Sequence, residues 1–175
     1  EDFQTFDSHA FYQMLREGTL PQTCAISPQA YVNYFEPHFA AGNDILYVHF
    51  SRAMSGTFDA MQLALNSLAE KYPERKFYTI DTKGITTLSY NVVCEVGDMY
   101  KAGKPVEEIL DWAKTEVDKF AIYFYADDLK FFRRSGRVTN LAATMGNLFS
   151  IHPILHMGSD GMMQTLGKAS GRINT

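Results

Sequence analysis

The most constraining feature of the sequence is Asp44-Ile45-Leu46-Tyr47-Val48-His49-Phe50. This nearly continuous apolar run of strand length is followed at once by the small-residue turn Ser51-Arg52-Ala53-Met54-Ser55-Gly56-Thr57. A strand without polar alternation has two faces to bury, and a parallel sheet with helices on both sides buries both. After the turn, Phe58, Met61, Leu65 and Leu68 carry the apolar face of a helix. Lys76 to Ile80 reads as a second strand that ends at Asp81. Thr86 to Ala102 reads as a helix stopped by Gly103, and Pro105 opens another whose core face is Val106, Ile109, Leu110 and Trp112-Ala113. Phe120 to Tyr125 is a third strand. Strand and helix alternate at the spacing of βα units, which predicts an α/β fold with an open, mostly parallel sheet flanked by helices.

Two helices precede the first strand. Ser8 opens a short amphipathic one in which Phe11, Met14 and Leu15 share a face, closed by Gly18. Ser27 caps the second and Pro28 suits its first turn, where a missing N–H costs nothing. Tyr31, Tyr34 and Phe35 form its apolar face, with a kink expected at Pro37 and an end at Gly42.

Beyond Tyr125 the texture changes. A short helix through Phe132 and another over residues 140–149 are expected, followed by strands over Ile151 to Met157 and Met162 to Leu166. The Asp160-Gly161 between these strands is a strong hairpin signal, and a hairpin does not belong to a βα rhythm. The predicted organisation is therefore an α/β parallel-sheet domain over residues 1–125 and the beginning of an α+β domain over residues 126–175. The first residue is not methionine and the last residues read as the edge of an element, so a piece of a longer protein is expected.

With 16 Lys+Arg against 20 Asp+Glu, the net charge of −4 disfavours a nucleic-acid or anionic-membrane surface, which needs clustered positive charge. No run reaches a membrane-span length of about 18 apolar residues. Cys24 and Cys94 lack ligand spacing and are expected to be buried free thiols in a reducing compartment.

Two loops carry the candidate chemistry. Thr23-Cys24-Ala25-Ile26-Ser27-Pro28 enters a helix, and Ser51 to Thr57 joins a buried strand to another. Ligands of open α/β sheets gather at the carboxyl ends of strands, where helix N-termini offer unpaired N–H groups to an anion. Hydroxyls at Thr23, Ser27, Ser51, Ser55 and Thr57 add donors, and Gly56 lets a ligand approach the backbone. Each hydroxyl taken alone is better read as a helix cap, and the Ser-Gly-Thr placement just after a buried strand brings the ligand reading level with it.

Other chemistry finds little support. Ser55 lies on a strand-to-helix turn near His49, yet the Gly-x-Ser-x-Gly elbow of hydrolases is absent and His49 sits inside an apolar strand. His9, His38, His152 and His156 lack metal-ligand spacing, and Asp127-Asp128 reads as a cap. No Walker or dinucleotide glycine pattern occurs. Lys130 to Arg137 interleaves basic and aromatic residues, which raises single-stranded nucleic acid as a ligand, but one short cluster in an acidic chain fits a solvated or partner-docking face better. The readings left open are an anion-binding carrier, a serine-dependent acyl hydrolase using Ser55, and a nucleic-acid or regulatory protein working through Arg133 to Arg137.

Several stretches resemble those of the bacterial DegV family, in the family's order. Leu20 to Pro28 resembles its Leu-Pro-x-Thr-Ser-Gln-Pro-Ser-Pro, and Ser51 to Thr57 its Ser-x-x-Leu-Ser-Gly-Thr, with Met54 for leucine. Ile80-Asp81-Thr82 is similar to Ile-Asp-Ser, and Leu129 to Val138 to Leu-x-x-Leu-x-x-Gly-Gly-Arg-Ile, with Ser135 for the first glycine. His152-Pro153-Ile154-Leu155, Asp160-Gly161 and Lys168 follow its Lys-Pro-Ile-Leu, Asp-Gly and Lys order. The resemblance implies a cytoplasmic two-domain protein, whose first βα unit is not in this sequence, with a long-chain fatty acid between the domains. It implies a binding subunit rather than an enzyme, without cofactor or metal, that presents the carboxylate to a separate fatty-acid kinase. By position, Thr23, Ser55, Gly56 and Thr57 would hold the carboxylate, and Arg134 and Arg137 would face the kinase or the acyl phosphate. Cys24, Ala25 and Ile26 depart from the family's Ser-Gln-Pro. Leu88 and Tyr90 stand where the family has glycines, which leads to the expectation of a narrowed pocket.

Overall fold

The structure, a computed structural model, describes residues 6–125, 132, 136–139 and 151–170. Helix α1 (Ser8–Arg16) is capped by Asp7, whose Oδ1 accepts the Ala10 N–H at 3.0 Å, one residue before the expected Ser8. None of its residues is buried, so its Phe11–Met14–Leu15 face is only partly covered. Helix α2 (Pro28–Ala40) begins as its sequence dictates: Ser27 Oγ accepts the Ala30 N–H at 3.2 Å and Pro28 occupies the first turn. Pro37 lies within this helix, and Gly42 turns the chain out of it with φ +83°.

Strand β1 (Ile45–His49) pairs in parallel with β2 (Phe77–Asp81), with Ile45 opposite Phe77 and His49 opposite Asp81. Helix α3 (Thr57–Lys71) joins them, and α4 (Thr86–Lys101) and α5 (Val106–Glu116) follow. The apolar run of β1 is covered from both sides, as its lack of alternation predicts, with Ile45 to Val48 partly buried and His49 fully buried. Ile45 and Tyr47 pack with Tyr31, Phe35 and Phe39 of α2 and with Phe58, Met61 and Leu68 of α3. Leu46 and Val48 pack on the opposite face with Leu88, Val92 and Val96 of α4 and Ile109 of α5. Three layers result, helix pair on sheet on helix pair. Phe35 sits at the heart of the first core, 1% exposed and edge-on to both Tyr47 and Phe77.

The third strand does not extend this sheet. Strand β3 (Tyr123–Tyr125) pairs antiparallel with β5 (Ile151–Met157), in a second sheet ordered β3-β5-β6-β4 with β4 (Val138–Thr139) and β6 (Met163–Ser170). A three-residue aromatic strand has no periodicity that names its partner, and pairing with Ile154, Leu155 and His156 decides the matter. The hairpin read from Asp160-Gly161 is present: β5 and β6 run antiparallel, Gly161 has φ +75°, and its N–H donates to the Gly158 carbonyl at 2.9 Å. Pro153 tolerates a strand position because the register slips at the next step, between Ile154 and Leu155, and pairing with β3 begins only at Ile154.

The cysteine expectation is corrected. Cys24 and Cys94 are both free, but both are exposed. Cys24 lies on the extended segment before α2, and Cys94 on a face of α4 between the inward-facing Val92 and Val96. Among the described residues no helix is long and apolar enough to cross a membrane. The helices expected over Asp127-Asp128 and over residues 140–149 lie outside the described residues.

Candidate functional site

The two loops singled out by sequence meet. A cavity of about 660 Å³ is walled by Thr23, Cys24 and Ile26 from the first and by Met54, Ser55, Gly56 and Thr57 from the second. Phe50, Ile85, Phe132 and Met163 add apolar surface to the lining, and Arg137 adds a cation. Thr57 fastens the loops together. Its Oγ1 accepts the Ile26 N–H at 3.1 Å and lies 2.9 Å from the Tyr31 hydroxyl, with Thr57 itself 4% exposed. Beneath Tyr31, the Tyr47 phenol is pushed above its ordinary value by burial, with Tyr31 beside it adding to the effect, so it stays neutral.

Helices begin around this cavity. Gly56 is the N-cap of α3 and Ile85 that of α4, and neither supplies a side-chain cap. Their first-turn N–H groups and partial positive charge give the wall an affinity for anions. The third helix start is different: Ser27 spends its hydroxyl on capping α2, the plainer of its two sequence readings. Ser51 is also withdrawn from the ligand list. It is completely buried, and its Oγ donates to the Gly161 carbonyl at 2.6 Å. Ser55, half-buried, accepts the Thr57 N–H at 3.2 Å and keeps its own O–H to give. Thr23 is exposed on the rim, with no hydrogen-bond partner among the described residues.

The remaining candidates fall elsewhere. His49 is buried against Phe58, ring centroids 4.4 Å apart, and its Nδ1 lies 2.8 Å from the Phe50 carbonyl. A carbonyl only accepts, so Nδ1 carries the proton and the ring is tied to the backbone, not to Ser55. His156 stacks on Tyr123 in the second sheet, away from the cavity wall. The Asp81 carboxylate accepts the backbone N–H of Arg52 at 3.2 Å and of Lys83 at 2.8 Å, which makes it a loop tie. Among the described residues no His, Cys, Asp and Glu cluster has the arrangement of a metal site. Arg137 donates from Nε to the Met54 carbonyl at 3.3 Å, placing it over the second loop. Arg134 and the rest of the basic segment from Lys130 to Ser135, Phe132 excepted, lie outside the described residues.

Leu88 and Tyr90 do not form part of the cavity wall. Leu88 is 4% exposed in the core beneath α4, against Gly84, while Tyr90 points outward with 66% exposure. Sequence reasoning missed Ile85, Phe50, Phe132 and Met163, apolar residues drawn from separate elements that no single motif joins.

Comparison with known proteins agrees with this architecture. The family model described as "Uncharacterised protein, DegV family" matches residues 1–175. A DegV domain-containing protein of Clostridium perfringens is 36% identical over 163 residues, covering 93% of this chain and 56% of the relative. The chain thus spans about half the length of that relative. Two solved structures share the fold at lower identity. A fatty acid binding DegV family protein from Streptococcus agalactiae gives a TM-score of 0.83 at 22% identity, over 98% of this chain and 60% of that one. The Streptococcus pneumoniae Fatty Acid Kinase B3 protein, loaded with linoleic acid, gives 0.81 at 22% identity, over 95% and 58%. With its whole length matched by the family model, a loop pair in the family's order and the same fold, the chain belongs to the DegV family.

Proposed function

We propose that this protein binds a long-chain fatty acid in the cavity between its two sheets and presents the carboxylate to a fatty-acid kinase. The observation that carries the reading is the composition of one wall. Hydroxyls at Thr23 and Ser55 and the uncapped start of α3 share a cavity with Ile26, Phe50, Ile85, Phe132 and Met163. A carboxylate taken out of water needs several donors, while the chain behind it needs apolar surface. In this reading Thr23, Ser55 and the Gly56 N–H hold the carboxylate, joined by the Thr57 N–H as it turns from Ser55 Oγ to the ligand, and the Thr57 hydroxyl keeps the two loops in register. Arg137, and Arg134 with it, faces the kinase or the acyl phosphate. The protein acts in the cytoplasm as a carrier, without a cofactor, and a division into a parallel-sheet domain and an α+β domain accompanies the reading. It is supported by the fatty acids named for structural neighbours and by the kinase B3 protein among them.

The test is native mass spectrometry of the protein purified from bacterial cells, followed by extraction and identification of the lipid. A fatty acid at one per chain, lost in a Thr23→Ala, Ser55→Ala double variant that still folds, is the expected result. An empty protein that also refuses added fatty acid would sink the proposal.

A further inference from the structure

One buried residue joins three segments around the cavity. Ser51, at the end of β1, is 0% exposed. Its N–H donates to the Gly84 carbonyl at 2.7 Å, in the loop that carries Ile85. Its own carbonyl accepts the Met54 N–H at 3.1 Å, shaping the loop that carries Ser55. Its hydroxyl donates at 2.6 Å to the carbonyl of Gly161, 110 residues away at the tip of the β5–β6 hairpin. Gly161 is matched to this contact twice over. Its φ of +75° favours glycine, and a Cβ there would run into the Ser51 hydroxyl.

The hairpin tip is built to move as a unit. Gly158 N–H donates to the Met162 carbonyl, Gly161 N–H to the Gly158 carbonyl, and Asp160 accepts from the Met162 N–H at 3.0 Å. Met163, which follows, is 5% exposed and forms part of the cavity wall. Displacing the tip therefore displaces a piece of that wall. A second link reaches the same loop, from Arg137 to the Met54 carbonyl, but it is exposed, and water can take its place at little cost. The Ser51 bond is shielded, so breaking it leaves a buried carbonyl without a donor unless the tip lifts away.

We propose that Ser51 is a positioning residue, a latch that seats the 158–161 turn on the ligand loop and sets how long the ligand stays. This rests on the fatty-acid reading for the identity of the ligand, though not for the latch itself. In the protein loaded with cis-parinaric acid, Ser51→Ala should speed release into excess albumin about tenfold, corresponding to about 1.4 kcal/mol. Ser51→Cys, nearly isosteric and a weaker donor, should fall between the two, and it carries the comparison if the alanine variant fails to fold. In the ligand-free protein, amide hydrogen exchange at 158–163 should quicken in step with release, while β2 and α4 keep their protection, a pattern that general destabilisation would not give. Unchanged release in both variants, or faster release with unaltered exchange at the turn, overturns the latch. Wild-type protein that takes up no cis-parinaric acid would instead remove the fatty-acid reading, leaving hydrogen exchange to decide the latch by itself.

Discussion

The two loops that form the candidate site are held in very different ways. The Ser51–Thr57 loop is tied at many points: to Gly84 and Gly161 through Ser51, to Asp81 through the Arg52 N–H, and to Arg137 through the Met54 carbonyl. The Thr19–Ser27 segment is exposed throughout; among the described residues its side-chain ties are Ile26 N–H to Thr57, which joins it to the other loop, and the Ser27 cap on α2. One loop is a fixed wall and the other a leaf hung on it. Local opening falls preferentially on segments with few buried contacts, so the leaf is the part of the site that adjusts to a ligand.

The sharpest way to break this comparison is to cut the tie between the two loops. Thr57→Val removes the acceptor of the Ile26 N–H and the partner of the buried Tyr31 hydroxyl. It should cost about 2–3 kcal/mol in urea unfolding, because a buried phenol loses its partner. Thr57→Ser should recover most of that; a valine variant as stable as wild type would show that the leaf is held by something else. Next in size is the leaf's other anchor. Ser27→Ala removes the cap of α2 and should lower stability by about 1 kcal/mol, with amide exchange rising in the first turn of α2 and not at the second loop.

The smallest effect tests the body beneath both loops. Glu36 of α2 is held below its ordinary value by its hydrogen bond to Lys71 of α3. A lowered folded-state value stabilises the fold above the ordinary glutamate pKa of about 4.3, and that contribution fades as pH falls through the lowered value. Glu36→Gln should therefore slightly flatten the acid limb of the stability–pH curve and leave pH 7 to 8 unchanged in shape. Lys71 is exposed and Glu36 partly so, and solvent screening keeps the slope change small.

Much of this organisation was legible from single residues. The unbroken apolar run of β1 announces a strand buried on both faces, Ser27-Pro28 announces a helix start, and Asp160-Gly161 announces a hairpin, because each is a local choice with one cheap conformation. The partner of Tyr123–Tyr125 was not legible, since an aromatic triplet packs equally well in either sheet and the pairing lies about thirty residues downstream. The roles of Thr57 and Ser51 were half visible. Their hydroxyls drew attention as ligand donors, while the Ile26 and Gly161 groups they actually serve come from other parts of the chain. Leu88 and Tyr90 misled for a related reason. Side-chain bulk narrows a pocket only when it points inward, and α4 directs one into the core and the other into solvent.

The exposed thiol on the cavity rim has a practical consequence for spectroscopy. The single tryptophan, Trp112, packs against Phe120 and is not part of the cavity lining, so intrinsic fluorescence is a poor witness to anything bound there. Cys24 lines the cavity and Cys94 does not, and both are free. The chain thus carries a reporter and an internal reference for thiol labelling, and the ratio of their modification rates reads occupancy without an engineered tag.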